Sequence, residues 1–495
     1  MLSTLAASAV DGGSARVPAE AAMIGVNLSG AEFGTVPGVY GTHYAYPGAA
    51  SFDYFKAHGI TVVRLPFKWE RMQPKLMGPL DGAELKRLDE TVAIARERGM
   101  KLMLDLHNFG DYEKKSLGTP DLPNEAFADV WKKLAEHFAN EGAVFAYCIM
   151  NEPVGAKERW PAAAQAAIDA IRSVDTNHTI SVCGGGFSGA HSWKKAANGF
   201  PLRDPAGNII YEAHQYFDRD NSGTYKQGYD DSGANPTTGV QRLQPFIAWL
   251  KENNARGFLG EFGIPCDDPR WLEVLDNFIS ALKENNIGGT YWSAGPRWGK
   301  YPMSVEPRNG RDRPQMEALA LYAGDRTRPA DAKASYEGAD AKMKAAGQRM
   351  VINLRSREEA YHYANKETAY ASEIVTDAGR DARKITYKHA GNPAYVGLGL
   401  FFGGLKCRDH SSFVLAIRAE KPTSLDVKAY APDKTVFTAR FPIGIDWQEL
   451  AIPFDQLKGN NGTFDTLRTL EKIEFQPAPD TTGNALYLGE FKLAK

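Results

Sequence analysis

Eight short apolar runs recur between residues 23 and 323, each followed by a stretch with helical period or by a crossover. They are MIGVNL (23–28), TVVRLPF (61–67), KLMLDLH (101–107) and FAYCIMNE (145–152), then TISVCG (179–184), IIYEAHQYF (209–217), GFLGEFG (257–263) and GGTYWSAG (288–295). The runs are rich in β-branched residues, mostly non-alternating, and bounded by Gly, Asn or Pro, as strands buried on both faces should be. Between them, Leu85, Leu88, Val92 and Ala95 follow the period of a helix with one buried face, and Gly99 supplies its stop. Residues 271–286 carry a second such pattern. Eight strand-and-crossover units over roughly 300 residues are what a (β/α)8 TIM barrel requires. A doubly wound open sheet accounts for the alternation too, but not for the polar residues at nearly every strand's C-terminal end.

In a barrel those ends open onto one mouth, where the loops build the active site. Here they carry Arg64, His107, Asn151 with Glu152, His214 with Tyr216, Glu261 and Trp292. Two carboxylates at strand ends are the minimum for breaking a glycosidic bond: one protonates the leaving oxygen and the other attacks the anomeric carbon. Arg64 can hold a carboxylate ionised, and Tyr216 can donate to the same group. Asn151 suits a sugar 2-hydroxyl, His107 and His214 are positioning donors, and Trp292 can form the floor under the sugar. Trp69, Phe109, Tyr112, Trp193 and Trp298 fall in strand-to-helix loops, where they either stack on sugar or cap the barrel.

The set R-L-P-F, D-L-H-N, N-E-P, H-x-Y, G-E-F-G and Y-W, in this order and spacing, resembles glycoside hydrolase family 5. The opening GVNLSGAEFG and GTHYAYP resemble that family's endoglucanase (cellulase) branch. The resemblance covers residues 23–323 and implies a retaining hydrolase, with Glu152 as acid/base and Glu261 as nucleophile. Arg64, His107, Asn151, His214, Tyr216 and Trp292 match the family's remaining positions, and Trp69 and Trp298 join them as candidate substrate contacts. The substrate expected is a β-1,4-glucan. A mannan, xyloglucan or mixed-linkage glucan is the alternative within the class, and a glycan-binding barrel without catalysis the alternative outside it.

Past residue 323 the texture changes. Residues 324–348 are charged and Ala-rich, a linker or a short surface helix. From 349 to 495 short alternating strands such as YVGLGLFF, FVLAIRAE and WQELAIPF read as an all-β sandwich of jelly-roll kind. Its YVGLGLFF and WQELAIPF segments are similar to carbohydrate-binding modules; a packed structural domain is the other reading. Tyr361, Tyr363, Tyr387, Tyr395 and Trp447 are its possible stacking residues.

A formal net charge of −2 without a basic stripe gives no reason to expect nucleic acid or a membrane as partner. A monomer is expected. Residues 1–22 read as a flexible leader without the basic and apolar regions of a signal peptide, although the implied activity calls for a secreted or periplasmic protein. The cysteines Cys148, Cys183, Cys266 and Cys407 lack metal or disulfide spacing, and no motif calls for a metal or a cofactor. GGGFSG (184–189), with Asp204 beyond it, matches a dinucleotide fingerprint but opens no helix, so it reads as a loop at the mouth. Arg308, Arg311 and Arg313 read as a solvated basic run.

Overall fold

The computed structural model describes residues 22–495 except Asp267, Lys300, 308–311, 325, 330, 331, 333, 335, 354–360, 379 and 461. Most of the leader, Arg308 and Arg311 thus lie outside the described residues. Eight parallel strands close into a barrel: β1 (Ile24–Leu28), β2 (Val62–Phe67), β3 (Lys101–Leu106), β4 (Val144–Cys148), β5 (Thr179–Cys183), β6 (Ile209–His214), β7 (Gly257–Phe262) and β8 (Gly288–Ala294). Each pairs with its sequence neighbours, and β1 closes the ring against β8.

The helices start where local chemistry allows. Helix α1 (Ala49–Ala57) follows β1. Helix α2 (Gly82–Glu97) begins at Asp81, whose carboxylate accepts from the Ala83 and Glu84 amides. It ends before Gly99, whose φ of +62° terminates the helix. Helices α3 (Asn124–Phe138), α4 (Trp160–Arg172) and α5 (Thr238–Glu252) follow. Helix α6 (Pro269–Glu284) is capped by Asp268 and carries a proline where its missing N–H costs nothing.

Inside the barrel, Val62, Met103, Phe145, Ala146, Cys148, Cys183, Ile210 and Phe258 form an apolar plug. A larger core fills the space between strands and helices. Above the plug the interior turns polar, and the site begins there.

The connecting segment is not a free linker among the described residues. Tyr336 is buried, Arg328 pairs with Asp276 of α6 at 2.6 Å, and helix α8 (Ala339–Ala345) packs on α6 after α7 (Gln315–Leu321). Its polarity belongs to the solvent side of a segment that the barrel anchors through two large side chains.

The C-terminal region is a pair of antiparallel sheets. One runs β11 (Ala369–Asp377), β12 (Arg380–Lys388), β19 (Asn484–Ala494), β14 (Ser412–Ala419), β17 (Gln448–Pro453), with β9 (Gln348–Asn353) also on β19. The other runs β10 (Tyr361–Ala364), β13 (Val396–Lys406), β18 (Thr469–Pro477), β15 (Thr423–Tyr430), β16 (Val436–Ile443), ending in a short hairpin. Phe413, Phe464, Phe475 and Phe491 pack between them. Among the described residues no helix is long and apolar enough to cross a membrane.

Candidate active site

Arg64 stands at the centre of the polar layer, fully buried on β2. Its guanidinium lies 2.8 Å from Asp105 Oδ2, 3.0 Å from Glu212 Oε1 and 3.4 Å from Glu261 Oε1. It also donates to Asn27 Oδ1 at 3.0 Å and to Asn151 Oδ1 at 2.8 Å. A buried charge is tolerated when it is paired and its donors are satisfied, and five strands supply these partners or the loop just beyond. Glu212 is held down to about 2: burial pushes its carboxyl up, but Arg64, His214 and Ser181 outweigh that. Gly260 on the next strand has to be glycine, since a Cβ there would stand 1.9 Å from Glu212 Oε1.

Glu152 and Glu261 face each other above this layer. One carboxylate oxygen of each and a ring nitrogen of His214 lie within 4.8 Å of one another. The strand carrying Glu152 ends at Cys148, so the carboxylate sits in the following turn with φ +41°, before Pro153. Such a backbone persists only where its surroundings impose it. Tyr216 donates its hydroxyl to Glu261 Oε2 at 2.7 Å. His214 Nδ1 bonds Glu152 Oε1 at 2.8 Å, and its Nε2 lies 3.3 Å from Glu212. Burial pushes the Glu152 carboxyl up; His214 opposes this and Glu261 adds to it, and the outcome is a raised pKa. Burial pulls the His214 imidazole down, but the carboxylates around it win and leave it well above its usual range.

Around the pair, His107 is fixed by Asp105 at 2.8 Å and stacks on Trp292, ring centroids 5.4 Å apart. Trp298 stands edge-on to Trp292 and face-to-face with Tyr301 at 4.3 Å. A cleft of about 850 Å³ opens from Glu152, His214 and Tyr216 past His191 and Phe187. The glycine-rich loop forms its rim, tied down by Ser188, which accepts from the Gly184 amide and donates to the Glu212 carbonyl.

The residues read from the sequence as strand-end groups, Arg64, His107, Asn151, Glu152, His214, Tyr216, Glu261 and Trp292, meet at one mouth. Trp69 does not. Its side chain has no exposed surface and packs against Tyr112 and Phe127, with its indole N–H on Gln73. Tyr112 and Trp193 are likewise core residues, leaving Phe109 and Trp298 of that group partly open. Asp105 and Glu212 escaped the sequence reading, although a signal existed: each stands two positions before a strand-end histidine, and alternate strand residues share a face. Asn27, Glu32 and Lys68 were missed as well. Glu32 is buried with its Oε2 on the Gly30 amide, and Lys68 donates to the His107 carbonyl at 2.6 Å.

A closed barrel with two opposed carboxylates at its C-terminal mouth, one protonation-prone and one held by a tyrosine and an arginine, is the arrangement of a glycoside hydrolase. The comparisons with known proteins agree. Residues 19–297 match the family model "Cellulase (glycosyl hydrolase family 5)". The chain is 34% identical over 315 residues to a probable endo-beta-1,4-glucanase B of Aspergillus oryzae, covering 61% of this chain and 90% of that one. The Pseudomonas stutzeri endoglucanase Cel5A, solved in complex with cellobiose, is 43% identical with a TM-score of 0.60, over 63% of this chain and 97% of that one. XacCel5A, solved with cellopentaose, is 40% identical with a TM-score of 0.58, over 61% of this chain and all of that one. The chain belongs to the cellulase family, glycosyl hydrolase family 5.

Proposed function

We infer that the chain hydrolyses internal bonds of a β-1,4-glucan with retention of anomeric configuration, Glu261 acting as nucleophile and Glu152 as acid/base. The observation that carries this is the spacing of the two carboxylates. Retaining enzymes hold them roughly 5–5.5 Å apart and inverting ones roughly 6.5–9.5 Å, the extra room being for a water. Here the facing oxygens of the two lie within 4.8 Å of each other, a close approach that favours the retaining arrangement.

The neighbours support the division of labour. Glu261, bonded by Tyr216 and facing Arg64, is oriented and electrostatically held for attack on the anomeric carbon. Glu152, with its raised pKa, carries the proton that the leaving oxygen takes. Once Glu261 is esterified its charge is gone, the pKa of Glu152 falls, and Glu152 can accept a proton from the water that releases the sugar. The cleft beyond Glu152 then receives the leaving portion of the chain.

The choice of β-1,4-glucan rests on the relatives named endoglucanases and on the bound cellobiose and cellopentaose of the two solved neighbours. Secretion or periplasmic location accords with a polymeric substrate. The test is product analysis on cellulose, lichenan, xyloglucan and mannan, with the anomer of the first product followed by NMR. Release of the β-anomer from cellulose or lichenan is expected, together with loss of turnover in Glu261→Ala. Preference for mannan, the α-anomer, or substantial activity in Glu261→Ala would each sink the assignment.

A further inference from the structure

The outer face of one sandwich sheet carries a row of aromatic rings. On β13, Val396, Leu398 and Leu400 are buried, so Gly397, Gly399 and Phe401 face outward. Strand β10 runs antiparallel beside it, with Tyr361 opposite Gly399 and Tyr363 opposite Gly397. The bare glycines let both rings lie down on the neighbouring strand: a Cβ on Gly399 would stand 2.1 Å from the Tyr361 ring, and one on Gly397 would stand 2.3 Å from that of Tyr363. The Phe401 ring is 5.1 Å from Tyr361, Tyr361 is 6.1 Å from Tyr363, and Tyr395 lies 6.3 Å further on. Successive planes differ by only 35–39°, and Phe401 is 62% exposed.

Polar groups border the row and are already ordered. Glu474, opposite Gly399 on β18, accepts from the hydroxyls of Tyr361 and Tyr430 and from Lys472 at 2.7 Å. Burial pushes its carboxyl up, but these three donors hold it below the usual range. Lys428, opposite Glu474 on β15, donates to Gln476 at 2.9 Å.

We propose that this face of the C-terminal sandwich is a second glycan-binding site, which holds an extended β-glucan chain across Phe401, Tyr361 and Tyr363. The C–H faces of β-linked glucose are apolar and stack on rings, whereas the edge hydroxyls need fixed donors and acceptors. The row offers the first, and Lys472, whose ammonium lies 5.7 and 5.9 Å from the Tyr361 and Phe401 rings, offers the second. The ring spacing is comparable to one sugar unit of an extended chain, so neighbouring units meet neighbouring rings. An ionic ligand has little to pair with, since Glu474 is already matched by Lys472. The identity of the glycan rests on the glucanase reading above, and the benefit is a raised local concentration of substrate at the barrel.

The test uses the full chain carrying Glu261→Gln, so that bound polymer stays uncut. Affinity is measured by retardation in native gels containing barley β-glucan and by binding to amorphous cellulose. Phe401→Ala removes an exposed ring and no core; Tyr361→Ala removes the central ring, and Tyr361→Phe keeps it. The two alanine variants are expected to weaken binding about tenfold each, with the phenylalanine variant close to the parent. With Glu261 restored, all three should hydrolyse soluble cellotetraose with unchanged kcat and KM. Unaltered retention in both alanine variants overturns the site. So does a fall in cellotetraose turnover, which would place the effect in the barrel. Retention needs no turnover, so an inactive parent chain would count against the glucanase reading alone.

Discussion

Asn151 accepts a 2.8 Å hydrogen bond from Arg64 through Oδ1, and its NH2 group, buried at the mouth, has no partner among the described residues. Arg64 has only donors, so the amide's orientation follows from that one contact. A buried donor left unpaired costs about 1–3 kcal/mol and is kept where something arrives to take it.

The arriving group is expected to be the sugar 2-hydroxyl. Asn151→Ala should lower kcat/KM on a cello-oligosaccharide by about 10²- to 10³-fold. A 2-deoxy substrate should suffer a similar loss in the unmodified enzyme and little further loss in the variant. Additive losses in that double cycle would separate Asn151 from the 2-hydroxyl.

Glu152 sits above the ordinary carboxylate range because burial and the Glu261 charge outweigh the opposing effect of His214. If Glu152 is the acid, as proposed, its protonated form is the working form, and the alkaline limb of the kcat/KM profile should follow its titration. Replacing His214 by Asn removes the cation that favours ionised Glu152, and the limb should move to higher pH while the rate falls. A shift to lower pH would mean that another group governs the limb.

Glu212 titrates at about 2 in the fold against an ordinary 4.5. A depressed carboxyl contributes stability that is complete above the unfolded value and is lost as pH falls through the folded one. That contribution is on the order of 3 kcal/mol for a group this buried. Glu212→Gln should therefore melt well below the parent at pH 7, with the gap closing between pH 4.5 and 2. Melting temperatures across that window check it, and a gap as wide at pH 2.5 as at pH 7 would contradict the assignment.

Trp69 and Trp298 should part company under substitution. Trp69 is enclosed by Tyr112 and Phe127, so Trp69→Ala removes core volume and should destabilise by about 3–5 kcal/mol. Trp298 is partly open beside Trp292 and Tyr301, and Trp298→Ala should raise KM for long oligosaccharides about tenfold with a small change in melting temperature. Thermal unfolding and kinetics on the two purified variants give both readings.

The chain announces its barrel because strands buried on both sides are unbroken apolar words, and the groups closing those words are what the mouth displays. Glu152, Glu261, Arg64 and Tyr216 could be found that way. Ring direction could not. Trp69 opens the one-turn helix Trp69–Met72, and that turn swings its indole beneath the loop instead of over it. Asp105 and Glu212 hid inside runs read as apolar, and only their two-residue offset from His107 and His214 betrays them. In residues 324–348 the abundance of small and charged residues hid Arg328, which pairs with Asp276 of α6, and Tyr336, which is buried in the barrel's core. On the sandwich, alternation alone left open which tyrosines face out; the strand register of Tyr361 and Tyr363 against two glycines decides it.

The apolar plug formed by Val62, Met103, Phe145 and their neighbours makes the barrel a blind well. Polymer enters and both fragments depart by the same rim, so traffic through the mouth is sequential. On the proposed roles, the severed end must vacate the side next to Glu152 before water can reach the sugar bound to Glu261. A second sugar lodged there instead would be joined to the first, and how fast that berth empties sets the balance between cutting chains and rebuilding them.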